Sequence, residues 1–159
     1  MSLNDWLLAL HLLSAFALVA ALTLYWVVIV TVRRTGLPEV VASVARLLPI
    51  GGVAIIAGSL GVVVFGIWLA IARDGIQVWD GWVIAAIVLW AIASETGRRA
   101  DPAFAPCAKR ANELVAAGRT EPDAGLLELG RTNRGLLLHT ISTVAVILIL
   151  IDMIWKPGA

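Results

Sequence analysis

The chain reads as an all-α polytopic membrane protein, four transmembrane helices in an antiparallel bundle. Three observations lead there: four long apolar runs, a lopsided distribution of Lys and Arg between them, and tryptophans gathered at one set of run ends. The runs cover Trp6 to Val32, Val53 to Ala72, Val78 to Thr96 and Leu136 to Trp155. Each is near or above the roughly 20 apolar residues that cross a hydrocarbon core about 30 Å thick. Lipid offers no partner for an unpaired backbone amide, so a crossing segment closes its own hydrogen bonds as a helix, and the alternation of a barrel strand is absent.

A cleaved signal peptide competes for the first run, but it needs a basic leading segment and an apolar stretch of about 7 to 15 residues. Residues Met1 to Asp5 carry no cation and the run continues to Val32, which favours a retained helix. The second run carries Ala54, Gly58 and Gly61, a stripe of small residues that lets a neighbouring helix come close. That neighbour is another helix of the bundle or a second copy of the chain in a homo-oligomer. The third run is interrupted at its start by Asp80, with the densest apolar stretch beginning at Trp82. The fourth ends at Trp155, just before Lys156, which is read as an interfacial anchor.

Orientation follows from the cations. Arg33, Arg34 and Arg46 lie in the first connection, and Arg98, Arg99, Lys109, Arg110, Arg119, Arg131 and Arg134 in the third. Only Arg73 and Lys156 fall on the opposite side, so both termini are expected outside a bacterial inner membrane. Trp6, Trp68, Trp79, Trp82 and Trp155 then share the outer interface, where amphipathic rings are enriched. The formal net charge of +1, with mixed signs in the loops, argues against nucleic acid as a partner. Cys107 is alone, which excludes an internal disulfide.

A single domain, 1–159, is expected, with a cytoplasmic helical connection at 98–135. A helix is expected from about Ala105 to Ala117, ended by Gly118. A second is expected with Thr120 as N-cap and Pro122 in the first turn, either running through Leu126 and Leu129 into the fourth span or breaking at Gly130 and Gly135.

Ionisable groups inside the spans are functional candidates by default. Here they are His11, Glu95, His139 and Asp152. His11 lies roughly 7 Å below Trp6, and Asp152 lies three residues before Trp155, so the two belong to an outer layer. Glu95 and His139 form an inner layer. On the order of 15 to 20 Å separates the two histidines in depth, which excludes a haem held by both within one chain. Each imidazole is either a neutral ring bonded to a neighbouring helix or part of a site.

The ending Asp152-Met153-Ile154-Trp155-Lys156-Pro157, the early Leu10-His11 pair, the Gly-rich second run and Trp79-Asp80-Gly81-Trp82 together resemble a bacterial family of integral membrane proteins of unknown function. That resemblance implies four helices and no particular activity. A more distant similarity is to the small haem-b-binding membrane protoporphyrinogen oxidases, which pair a first-helix histidine with a terminal Lys-Pro. It implies His11 and Lys156 as haem contacts, although Tyr25-Trp26-Val27-Val28 lacks the Pro and Arg of that family's first helix. Three functions follow as expectations: a binding or accessory module, a haem-binding redox protein using His11 and Lys156, or a small transporter or channel with Glu95 and His139 at an inner gate and His11 with Asp152 at an outer one.

Overall fold

The computed structural model describes residues 2–72 and 77–156; Arg73 and Pro157 lie outside these. The described residues form α1 (Leu3–Arg34), α2 (Pro38–Ala45), α3 (Leu48–Ala72), α4 (Gly81–Ala100), a 3-10 turn (Asp101–Ala103), α5 (Ala105–Ala116), α6 (Ala124–Gly130) and α7 (Asn133–Trp155). Three helical segments, Leu3–Arg34, Pro38–Ala72 and Ala124–Trp155, are long and apolar enough to cross a membrane. The expected third span, α4, does not reach that measure. Glu95, Arg98 and Arg99 occupy its last turn and a half, so its apolar part is shorter than the helix.

The long helices pack as two antiparallel pairs, α1 with α3 and α4 with α7. The first pair rests on close backbone approach. At Gly58 a Cβ would sit 2.8 Å from the Leu18 amide nitrogen and 2.9 Å from the Ser14 carbonyl oxygen, closer than a side chain can come. Gly61 faces the Ser14 side chain, Gly51 the Tyr25 ring and Gly66 the His11 ring, so one glycine seam follows α1 for most of its length. The expected small-residue stripe is thus taken up by α1 of the same chain at Gly58 and Gly61. Ala54 instead borders an open apolar groove with Pro49, Ile50 and Val53. Asn4 Nδ2 donates to the Ala72 carbonyl oxygen at 3.4 Å and ties the start of α1 to the end of α3.

In the second pair, Ser142 Oγ donates to the Ala93 carbonyl oxygen at 2.9 Å. The pairs meet where Leu22 of α1 packs with Ala93 of α4 and Ala145 and Val146 of α7. Trp26 Nε1 donates to Thr143 Oγ1 at 2.9 Å and Trp90 Nε1 to Ser59 Oγ at 2.8 Å, adding α1–α7 and α3–α4 links. Outward, the helices present large apolar side chains, including Leu13, Phe16, Val53, Ile56, Leu137 and Ile154.

Hydrophobic burial is densest at the other end, in a small cap. Cys107, Ala111 and Leu114 recur along one face of α5 and close against Val41 and Ala42 of α2, Leu126 of α6, and Val28 and Val32 of α1. At Gly130 a Cβ would lie 2.5 Å from the Val32 carbonyl oxygen, which seats α6 directly on the α1 backbone. Arg33 Nη1 donates to the Thr132 carbonyl oxygen at 3.0 Å, and Arg110 pairs with Asp123 at 3.5 Å. The Cys107 thiol is 1 % exposed, and burial pushes its pKa up to about 11, which keeps it neutral and unreactive.

In the 98–135 connection one expectation is met, one open alternative is decided and one expectation is corrected. Helix α5 ends as expected before Gly118, whose φ of 68° suits the residue without a Cβ. A break separates α6 from α7. The N-cap of α6, however, is Asp123 rather than Thr120: its side chain accepts from the Leu126 amide at 2.7 Å, and Pro122 precedes the helix instead of opening it. Helix α2 has no counterpart among the expected elements, although Pro38 and Glu39 in its first turn are start signals.

The glycine seam makes a quantitative demand. Gly58→Ala pushes a methyl into the α1 backbone, which has no rotamer by which to yield, and should destabilise the protein by about 1–3 kcal/mol. Gly61→Ala meets the Ser14 Cβ at 2.8 Å, which no rotamer moves, and should cost a comparable amount. Thermal unfolding in detergent measures both, and equal stability of Gly58→Ala and the parent would mean the seam is not a tight contact.

Candidate functional site where α4 begins and α7 ends

The polar residues of the long helices go to different neighbours. His11, on α1, directs Nδ1 at the Val62 carbonyl oxygen of α3 at 3.0 Å. Because a carbonyl only accepts, the ring proton sits on Nδ1 and Nε2 keeps its lone pair. No hydrogen bond or ion pair joins His11 to Asp152 or Lys156. The α1–α7 contacts, Arg33 with Thr132 and Trp26 with Thr143, run antiparallel, so His11 still lies at a depth comparable with the last turn of α7.

Glu95 turns toward its own helix and accepts from Arg98 at 3.0 Å, with Arg99 at 2.5 Å. His139 is 3 % exposed and sits among aromatic rings, stacked on Tyr25 with centroids 5.9 Å apart and edge-on to Trp26 at 5.0 Å. It faces the Leu22 backbone of α1, while its Nε2 is buried without a partner. Thr143 Oγ1 donates to the His139 carbonyl oxygen at 2.9 Å while accepting from Trp26, which completes an inner polar knot between α1 and α7. Glu95 and His139 therefore serve separate contacts.

The start of α4 and the end of α7 differ from both. Asp152 is 9 % exposed, and its Oδ2 has no hydrogen-bond partner. Trp82, at the start of α4 and 6 % exposed, has an equally unpartnered Nε1. Lys156 caps α7 in the left-handed conformation with φ 42°, and its Nζ stands 5.3 Å from the centroid of the Trp82 ring. Asp152 and Lys156 are four residues apart, hence on one face of α7, and the Lys156 amide donates to the Asp152 carbonyl oxygen at 2.8 Å. A buried carboxylate oxygen and a buried indole N–H, each lacking a partner, cost about 1–3 kcal/mol apiece and mark a place where water or a ligand supplies the missing bonds.

Asp152 and Lys156 were legible as candidates because they are ionisable. From the sequence Trp82 is only an interfacial ring; nothing in residue order distinguishes a buried indole with a free N–H from its exposed neighbour Trp79. Among the described residues no group of three His, Cys, Asp or Glu side chains converges as metal ligands. Compared with family models, with curated proteins and with solved structures, the chain finds no match.

Trp82 and the half-buried Trp26 give opposite expectations. Trp82→Phe removes an unpartnered N–H and should leave stability unchanged or raised, whereas Trp26→Phe breaks the bond to Thr143 and should cost about 0.5–1.5 kcal/mol. Parallel melting curves in detergent check the contrast, and a larger loss at Trp82 would show that its N–H has a partner.

Proposed function

We propose that this chain is a four-helix integral protein of a bacterial inner membrane, with both termini outside, that acts as a binding or accessory module. One observation carries the binding role: Asp152 Oδ2 and Trp82 Nε1 are buried and unpartnered where α7 ends and α4 begins, with the Lys156 ammonium over the Trp82 ring. A carboxylate oxygen seeks a donor and an indole N–H seeks an acceptor, so the chemistry suits a small ligand, or a partner segment, that offers both.

Four crossings follow if α4 joins the three longer segments. Its 20 residues extend about 30 Å, it runs antiparallel along α7, and Trp90 ties it to α3. The ten cations of the first and third connections then lie on one side.

A haem-binding reading is favoured by His11 alone. An imidazole that donates from Nδ1 to a carbonyl presents Nε2 as a ligand nitrogen, and Gly66 leaves the ring its space. The second expected contact does not fit as placed, since the Lys156 ammonium lies over Trp82. A haem bound there would supply electron-transfer chemistry. On this reading haem-reconstituted protein shows a Soret band that His11→Ala removes and His139→Ala leaves; a colourless parent after reconstitution rejects it.

Topology decides between four crossings and three. Cysteines placed singly at the exposed positions Gln77 and Glu121 should react with a membrane-impermeant maleimide from outside and only after lysis, respectively, while the buried Cys107 leaves the parent as a blank. Labelling of both positions from outside would mean that α4 does not cross.

A further inference from the structure

Where α4 ends and α7 begins, an open cavity of about 300 Å³ is lined by Arg98, Arg99, Pro102, Ala103 and Arg134. Three guanidinium groups border one space, two of them more than half exposed. Glu95 offsets part of this charge and holds Arg98 and Arg99 from one side, leaving a local excess of positive charge. Thr132 caps α7 without a side-chain hydrogen bond, so the first-turn amides of this 23-residue helix have no side-chain cap and add the positive end of its dipole. Planar guanidinium forks match phosphate oxygens, and basic pockets between transmembrane helices on the cytoplasmic side suit phospholipid headgroups.

What continues from the cavity identifies the occupant. From Arg134 the same face of α7 carries Leu137, Ile141 and Val144, at i+3, i+7 and i+10, exposed by 61 %, 38 % and 48 %. From Arg99 the corresponding face of α4 carries Ile92 and Val88, exposed by 42 % and 52 %. The helices are antiparallel partners, so Ile92 and Ile141, each seven residues from its arginine, lie at matching depth of roughly 10 Å. A phosphate held at the arginines therefore has two apolar stripes leading away from it in the direction that acyl chains take.

We propose that the Arg98–Arg99–Arg134 cavity binds the phosphate headgroup of an anionic phospholipid whose acyl chains lie along the Val88–Ile92 and Leu137–Val144 faces. The inference rests on the membrane-spanning reading above. It is independent of the outer Asp152 site.

The test uses the full chain purified in non-ionic detergent and titrated with phosphatidylglycerol, phosphatidylcholine or inorganic phosphate, with bound molecules counted by native mass spectrometry. Phosphatidylglycerol should be retained at lower concentration than phosphatidylcholine. Arg134→Gln and Arg99→Gln should each weaken its retention by roughly fivefold while leaving phosphatidylcholine unchanged. Arg134→Lys should keep most of the affinity, and Arg46→Gln, an exposed cation away from the cavity, should change nothing. Inorganic phosphate should neither bind measurably nor displace the lipid. Equal retention of the two lipids, displacement by phosphate alone, or an equal loss in Arg46→Gln each overturns the proposal. Circular dichroism checks the fold of every variant, and if Arg134→Gln does not fold, Arg99→Gln and the phosphate arm decide. Flotation with phosphatidylcholine vesicles separates the two levels: a chain that floats without lipid preference keeps the membrane reading and loses this site, and one that does not float loses both.

Discussion

The approach of α3 to α1 at Gly58 is the contact on which the arrangement of the long helices depends. In hydrocarbon a leucine gains little by leaving lipid for protein, so helix association there draws on dispersion at short range and on polar bonds. A seam of Gly51, Gly58, Gly61 and Gly66 allows that range, bringing the backbone of α1 into direct contact and leaving the branched side chains of α3 turned outward. His11 exists in its observed form because of the same seam: with Gly66 beneath its ring, Nδ1 reaches the Val62 carbonyl, and a bulkier residue would hold the two apart.

The second pair solves the problem differently. Helices α4 and α7 combine small residues, Ala93, Gly97 and Ala145, with a buried serine hydroxyl that bonds across the interface. Two indoles then join the pairs, each reaching a hydroxyl on a helix of the other pair. Beneath them the cap follows the rules of a water-soluble domain. Its amphipathic helices bury Val41, Ala111, Cys107 and Leu126 almost completely, where water makes such burial favourable at about 25 cal/mol per Å². Because α1 runs from the glycine seam into this cap through Val28 and Val32, one helix is shared by a lipid-type and a water-type packing regime.

The polar residues of the long helices divide in a corresponding way. His11 and Glu95 have neighbours that use them, so each reads as part of the scaffold's own bonding, and His139 packs between the Tyr25 and Trp26 rings with its Nε2 unpartnered. Asp152 and Trp82 are left with open valences, at the end of the molecule opposite the arginine cavity. Two places at the helix ends, among the described residues, thus carry open recognition chemistry. One is acidic and aromatic with a single ammonium; the other is cationic and continuous with apolar stripes.

How much of this was legible in the sequence depends on the range over which each feature is decided. Apolar runs of span length, the cation asymmetry, the helix ended by Gly118 and the significance of Gly58 are local properties, and residue order alone determined them through hydrophobicity, backbone freedom and charge. The start of α6 was misread because Thr120 and Asp123 are both good caps, and the choice fell to Asp123, whose backbone amide also bonds the Gly36 carbonyl oxygen at 2.9 Å. Depth was also readable, which placed His11 near the level of Asp152, but depth carries no information about direction around a helix axis. Tertiary packing alone decided that His11 faces α3, that Lys156 covers Trp82, and that Arg134 borders one cavity with Arg98 and Arg99, more than thirty residues before it in sequence. The physical reason is that lateral position in a bundle is set by which helix can come closest, and that is a property of two facing surfaces at once.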